Sequence, residues 1–351
     1  MNSSRRVWVG ETTTFRALFG LGSAHLQTVL GPYLPGKHLP NTVSLSVDLE
    51  DGDSIAVHAN GPQRPDIASF PVDPVVVISV HGLAGCHRSR YVERLAWHAT
   101  QQGWFSYRMD MRGAGDSGLK SRFLYHAGRS DDLLAVVRFV RLRHPHAKIF
   151  LCGFSLGASI TLLLMSDNAA IAACGLDGAI AVCPPLDLAL SADHLQRGLN
   201  RIYDRVFAKA LWQSLLQRPN AVRQLGARMP AQRPTSLKAF DQRVTAPLGG
   251  FQSVEEYYSR FSTGPLVRQI QVPTLVIMAK DDPMIPFEVA ERTEWSSSTK
   301  LVATERGGHL GFIGTADSDG ASHGIRWVEL AIIRSIENQL ANAGSPSSEN
   351  S

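Results

Sequence analysis

Two hydrophobic periods divide this chain. Between residues 43 and 57 apolar and polar positions alternate: Val43, Leu45, Val47 and Leu49, then Ile55 and Val57 beyond an Asp-Gly pair at 51–52. A period of two predicts strands with one covered face, and Asp-Gly is a hairpin turn, so this stretch reads as an antiparallel hairpin. From residue 75 the alternation stops. Unbroken apolar runs at 75–80, 104–109, 149–152, 179–183 and 274–278 are separated by stretches of helical period. Strands without a polar face are covered on both sides, as in a parallel sheet with helices packed above and below. The pattern predicts a doubly wound, mostly parallel α/β core.

Between the runs ending near Cys183 and beginning near Val272 lie almost ninety residues without a clear strand, too long for a plain connection. An inserted helical cap is expected there. The chain then divides into an N-terminal extension (1–40), a first core part (41–186), the cap (187–268), a second core part (269–340) and a polar, disordered tail (341–351). Within the cap Leu195, Leu199, Ile202 and Val206 recur at helical spacing, with Arg197, Arg201, Arg205 and Lys209 in a stripe beside them. Such a stripe is ordinary on a solvated helix face; it also suits a cap edge that meets anionic substrates or a lipid surface.

Composition narrows the class. With 351 residues, 44% of them hydrophobic, the chain can bury a full core. Arg5 and Arg6 are followed by no apolar run, and the longest apolar stretch, around 169–190, is broken by Asp177, Pro184, Pro185 and Asp187, so neither a signal peptide nor a membrane span is expected. A net charge of +4 without a basic block argues against nucleic acid as a partner. Cys86, Cys152, Cys174 and Cys183 show no CxxC spacing and read as reduced, mostly buried thiols of a cytoplasmic protein. Oligomeric state is not legible.

The chemistry concentrates at Gly153-Phe-Ser-Leu-Gly157, a GxSxG turn at the end of an apolar run and before the apolar helical stretch 156–165. In that context the serine is a nucleophile on a sharp strand-to-helix elbow, and the helix N-terminus favours developing negative charge. A serine hydroxyl needs a base, and the base needs an orienting acid. His309, in the glycine-rich segment after the strand-like 300–304, is the candidate base. The acid belongs after the run 274–278, where Asp281 and Asp282 stand side by side; Asp282 is favoured by its distance from Pro286, Asp281 suits a turn or backbone contact, and Asp187 is a weaker rival. The order Ser, Asp, His is that of the α/β-hydrolase fold. Backbone N–H groups of Leu156 and of Leu83, in His81-Gly-Leu-Ala-Gly85, are the candidate oxyanion hole, with His81 supporting that loop. Gly113–Gly118 matches GxGxxG, but neither the following helix nor the distant acidic residue of a dinucleotide site is present. His144-Pro-His146 has no partner cluster, so neither cofactor nor metal is expected.

These segments together resemble the YheT-like branch of the α/β-hydrolases, which is related to abhydrolase-domain lipases and to ester-handling proteins of plants and yeast. The resemblance rests on Ala24-His-Leu-Gln-Thr28, the 81–85 loop, Arg112-Gly113, Tyr125-His-Ala-Gly128 with Asp131-Asp-Leu133, the elbow, Asp281-Asp-Pro283 and Gly307-Gly-His-Leu-Gly-Phe312, and spans most of the chain. It implies an α/β-hydrolase fold, Ser155, Asp282 and His309 as nucleophile, acid and base, and short- to medium-chain carboxylic esters as substrates, lipid esters included. Ala158-Ser159 after the elbow and Ala114-Gly-Asp-Ser117 after Arg-Gly depart from the branch's usual residues and touch the pocket wall more than the triad. Acyl transfer to an alcohol would use the same residues, and a non-catalytic binding protein could keep the same shell.

Overall fold

The computed structural model describes residues 14–34, 37–63, 74–118, 121–316 and 326–344. Its strands are β1 (Phe15–Ala17), β2 (Val43–Asp48), β3 (Ser54–Asn60), β4 (Val75–Val80), β5 (Phe105–Met109), β6 (Lys148–Phe154), β7 (Gly178–Val182), β8 (Thr274–Ala279), β9 (Thr299–Thr304) and β10 (Gly314–Ala316). Eight form one sheet in the order β2-β3-β5-β4-β6-β7-β8-β9. The period-two stretch is the antiparallel pair β2–β3, with Asp48 opposite Ser54, and β3 runs antiparallel to β5. Every pair from β5–β4 through β8–β9 is parallel. β4 is buried along its whole length because its two faces feed two cores: Val76, Ile78 and Val80 on one side, Val75 and Val77 on the other. Cys152 lies in the second core, where burial pushes its thiol far up.

Arg112, of the Arg-Gly pair, donates twice to the Asp132 carboxylate at 2.7 Å and once to Asp51 in the hairpin turn at 2.6 Å, tying three of the recognisable segments together. The GxGxxG stretch is explained by packing. A Cβ on Gly115 would stand 2.2 Å from the Asp110 carboxylate, and one on Gly113 2.6 Å from the Arg218 guanidinium. Histidine 144, of the His-Pro-His segment, is hydrogen-bonded to the Tyr107 hydroxyl at 2.8 Å.

Between β7 and β8 the chain is helical, with helices Leu188–Leu195, Arg201–Leu216, Pro219–Leu225 and Val254–Phe261 and a π-turn at Asp241–Thr245. No single helix among the described residues is long and apolar enough to cross a membrane.

Two parts of the chain differ from expectation. The stretch 341–344, expected in a disordered tail, continues the last helix, Trp327–Gly344. That helix is anchored by Trp327, Val328, Ala331, Ile332 and Ile336 in the second core, and small residues such as Ala341 prolong it without strain. Residues 345–351, like Arg5 and Arg6, lie outside the described residues. The region before residue 40 carries two elements that alternation did not reveal: β1, paired antiparallel with β10, and the helix Ala24–Leu30.

Candidate active site

Ser155 sits between β6 and the helix Leu156–Met165 with φ +52°, a left-handed value that a non-glycine residue adopts only when its surroundings force it. Its N–H donates to the Val182 carbonyl at 2.8 Å, which fixes the turn to β7. The flanking glycines are required by contact: a Cβ on Gly153 would lie 2.4 Å from the Gly157 carbonyl oxygen, and one on Gly157 2.4 Å from that of His81. The sharp turn exists because β4, β6 and the elbow helix pass each other at backbone distance.

His309 Nε2 lies 2.9 Å from Ser155 Oγ, and His309 Nδ1 lies 2.8 Å from Asp282 Oδ2. The other Asp282 oxygen accepts from the N–H groups of Met284 (2.8 Å) and Ile285 (3.1 Å), so this carboxylate is held on both sides. The neighbouring acid has a different task. Asp281 Oδ1 accepts from Gly308 N–H at 2.9 Å, and burial, reinforced by the Asp282 charge, raises its carboxyl above the usual range. Asp187 caps the helix Leu188–Leu195 through Leu190 N–H at 2.9 Å.

The loop after β4 is pinned donor by donor. Gly82 N–H reaches the Tyr91 hydroxyl (3.0 Å), Ala84 N–H the Tyr125 hydroxyl (2.7 Å), and His87 N–H the Asp110 carboxylate (2.6 Å). His81 donates from Nδ1 to its neighbour's carbonyl at 2.7 Å and accepts Met111 N–H on Nε2 at 3.1 Å; burial holds it neutral. The N–H groups of Leu83 and Leu156 make no hydrogen bond among the described residues. Both residues line, with Ser155 and His309, a cavity of about 90 Å³. Its walls are apolar, among them Leu195, Phe207, Leu211, Phe240 and Met284. One carboxyl breaks that surface: Asp241, bonded to Thr245 (2.6 Å) and Tyr258 (2.8 Å), which burial raises to about 6.

The segment 24–28 proves to be part of the site's scaffold, a role that no periodicity could announce. Thr28 Oγ1 accepts His309 N–H at 2.8 Å. Gln27 is fully buried; its amide donates to the carbonyls of Leu21 (2.7 Å) and Ile313 (3.0 Å) and accepts Ile313 N–H (2.6 Å), as a paired strand would. The helix runs so close to the histidine loop that a Cβ on Gly308 would lie 2.4 Å from the Ala24 carbonyl oxygen. The only sequence signal was the Ala-His-Leu-Gln-Thr string itself.

A second buried cluster stands beside the loop after β4. His58 Nε2 and His87 Nδ1 both meet Asp110 Oδ2, at 3.1 and 2.7 Å. These three side chains could together hold a metal ion. Arg88 Nε donates to His87 Nε2 at 3.0 Å, however, which leaves the imidazole proton on Nδ1, where a metal would need a lone pair. Although burial opposes it, hydrogen bonds from the two histidines drive the Asp110 carboxyl far below its usual range. The cluster is a charged brace for the loop.

An eight-stranded, mostly parallel sheet with a serine on its elbow defines the α/β-hydrolase class, and the enzyme is a serine hydrolase. The chain belongs to the family described as serine aminopeptidase, S33 (Hydrolase_4), whose model matches residues 73–305. It is 29% identical over 320 residues to the Escherichia coli protein named "Putative esterase YheT", covering 87% of this chain and 88% of that one. Similarity to the Saccharomyces cerevisiae protein named "Monoacylglycerol lipase" is 27% identity over 264 residues, 72% of this chain and 57% of that one. Among solved structures, 2,6-dihydroxy-pseudo-oxynicotine hydrolase superposes with a TM-score of 0.55 at 15% identity, covering 91% of this chain and 72% of that one, which speaks for the fold alone.

Proposed function

We propose that the enzyme hydrolyses short- to medium-chain carboxylic esters, acylglycerols among them, through an acyl-enzyme on Ser155. The observation that carries this reading is the continuous hydrogen-bonded line Ser155–His309–Asp282, with distances of 2.9 and 2.8 Å, opening on an apolar cavity. In this reading Ser155 Oγ attacks the ester carbonyl while His309 Nε2 takes its proton, and Asp282 holds the imidazole and balances its charge. The tetrahedral oxyanion accepts from Leu83 and Leu156 N–H, two donors that make no hydrogen bond among the described residues. Collapse breaks the bond to the alcohol oxygen, which leaves with the proton from His309. Water, deprotonated by the same nitrogen, then cleaves the acyl-enzyme and returns the proton to Ser155.

Relatives named as an esterase and a lipase support an ester rather than a peptide as substrate. The cavity of about 90 Å³ is smaller than the roughly 150 Å³ apolar cavity that accommodates benzene, which favours the shorter acyl chains of that range. The test is hydrolysis of p-nitrophenyl esters from acetate to decanoate by the wild-type protein and Ser155→Ala. Turnover with an optimum at short or medium chains, abolished in Ser155→Ala, is expected; equal rates in the two proteins would overturn the reading.

A further inference from the structure

The exposed large apolar side chains of this enzyme are not scattered. Of the thirteen among the described residues, six lie between residues 18 and 33 (Leu18, Phe19, Leu26, Val29, Leu30, Tyr33), and four more, Leu199, Ile202, Val206 and Leu216, lie on or next to the helix Arg201–Leu216. These two segments meet. His25 Nδ1 bonds the Tyr203 hydroxyl at 2.9 Å and the two rings stack, and the exposed Leu26 and Ile202 are the chain neighbours of the two residues in contact. Both segments also touch the site from their inner sides. The first holds the His309 loop through Thr28, and the second lines the cavity with Phe207 and Leu211.

Charge gathers in the same place. Residues 14–34 and 196–216 contain five Arg or Lys (Arg16, Arg197, Arg201, Arg205, Lys209) and one acid, Asp204, a net +4 that equals the net charge of the whole chain. Asp204 is buried and accepts Leu237 N–H, so it does not face the cations. Arg197, Arg205 and Lys209 are exposed and enter no ion pair among the described residues. Exposed apolar side chains interleaved with unpaired cations are what an anionic lipid surface takes up, the apolar groups entering the headgroup boundary and the cations meeting the headgroups.

We propose that this face, formed by the N-terminal helix and the roof helix, docks the enzyme on anionic lipid surfaces and so presents the cavity to esters held there. The benefit to catalysis rests on the ester-hydrolase reading; the docking itself does not. A docked patch leaves monomeric substrates unaffected and concentrates the enzyme only where lipid is.

Partition onto extruded vesicles tests this without reference to turnover. Full-length protein is sedimented with phosphatidylglycerol–phosphatidylcholine vesicles and with pure phosphatidylcholine vesicles, at low and high salt. Two variants are compared, Arg201→Glu with Arg205→Glu, and Ile202→Ser with Val206→Ser, none of which lines the cavity. Binding to the anionic vesicles that weakens with salt is expected. At roughly fivefold per charge the first variant loses about 25-fold or more, the second loses binding as well, and both cleave dispersed p-nitrophenyl acetate like wild type if the ester reading stands. Equal partition onto the two vesicle types, or wild-type partition by both variants, overturns the proposal. So does a concentration-dependent dimer that Ile202→Ser with Val206→Ser converts to monomer while vesicles bind neither, because the face is then the seat of a second copy.

Discussion

Replacing Thr28 by valine keeps the shape of a side chain that is 5% exposed and deletes one oxygen. That oxygen accepts His309 N–H and donates to the Ala24 carbonyl, each at 2.8 Å. Without it the His309 amide becomes a buried donor with no partner, a cost of about 1–3 kcal/mol. The cost is borne by the docked state of the loop 307–312, and it corresponds to roughly a 5- to 160-fold shift against that state. The loop contributes His309 alone to the cavity, whose other walls come from elsewhere. We therefore expect Thr28→Val to lower kcat for p-nitrophenyl butyrate about tenfold, within that range, with KM changed less than twofold. Thermal unfolding should shift down by a few degrees, and Thr28→Ser should restore both readings because it returns the hydroxyl. A folded Thr28→Val enzyme with kcat within twofold of wild type would refute the reasoning: the contact would then do nothing for the histidine.

Asp282→Asn should cost on the order of 10⁴ in kcat, by analogy with removal of the orienting acid in other triads, while Asp281→Asn, which keeps an oxygen for Gly308 N–H, should cost far less; single-turnover rates separate the two. Asp241 has its folded pKa raised from 3.8 to about 6 by burial, so its contribution to stability is complete below about pH 4 and is lost as pH rises through 6. Urea unfolding at pH 4 and pH 8 should accordingly show Asp241→Asn gaining about 3 kcal/mol on wild type between the two. Tyr125→Phe removes the partner of Ala84 N–H and should lower kcat several-fold with about 1 kcal/mol of stability lost, read by steady-state kinetics and thermal melts.

What could be read beforehand follows the strength of each signal. The buried runs and the hairpin were legible because burial on two faces, or on one, leaves a periodic trace. β1 and β10 are three residues each, and no period can be recognised in three positions. Ser155 and His309 stand out because glycines surround them, and glycines mark close backbone approach. The two adjacent aspartates differ in the sequence only by their distance from Pro286, which favours Asp282; in the structure Asp282 meets the imidazole and Asp281 the Gly308 N–H. The scaffold role of residues 24–28 was hidden for a different reason. Thr28 and His309 are 281 residues apart, and a contact at that separation is written only in the tertiary structure.

The site is best understood through its backbone donors. Buried N–H groups are almost always paired, so an unpaired one calls for an explanation. In the loop after β4, Gly82, Ala84, Gly85, Cys86 and His87 each donate to a partner, five consecutive positions but for Leu83. Around the histidine, Gly308 and His309 donate to Asp281 and Thr28. The fold thus uses tyrosines, aspartates, a serine and a threonine to hold these donors, while the N–H groups of Leu83 and Leu156, beside the same serine, make no hydrogen bond among the described residues. Donors fixed in this way need no reorganisation when negative charge develops, which is where most of the rate acceleration in acyl transfer arises. It follows that residues outside the cavity wall, Tyr91, Asp110 and Thr28, should govern the rate through the positions of the groups they hold.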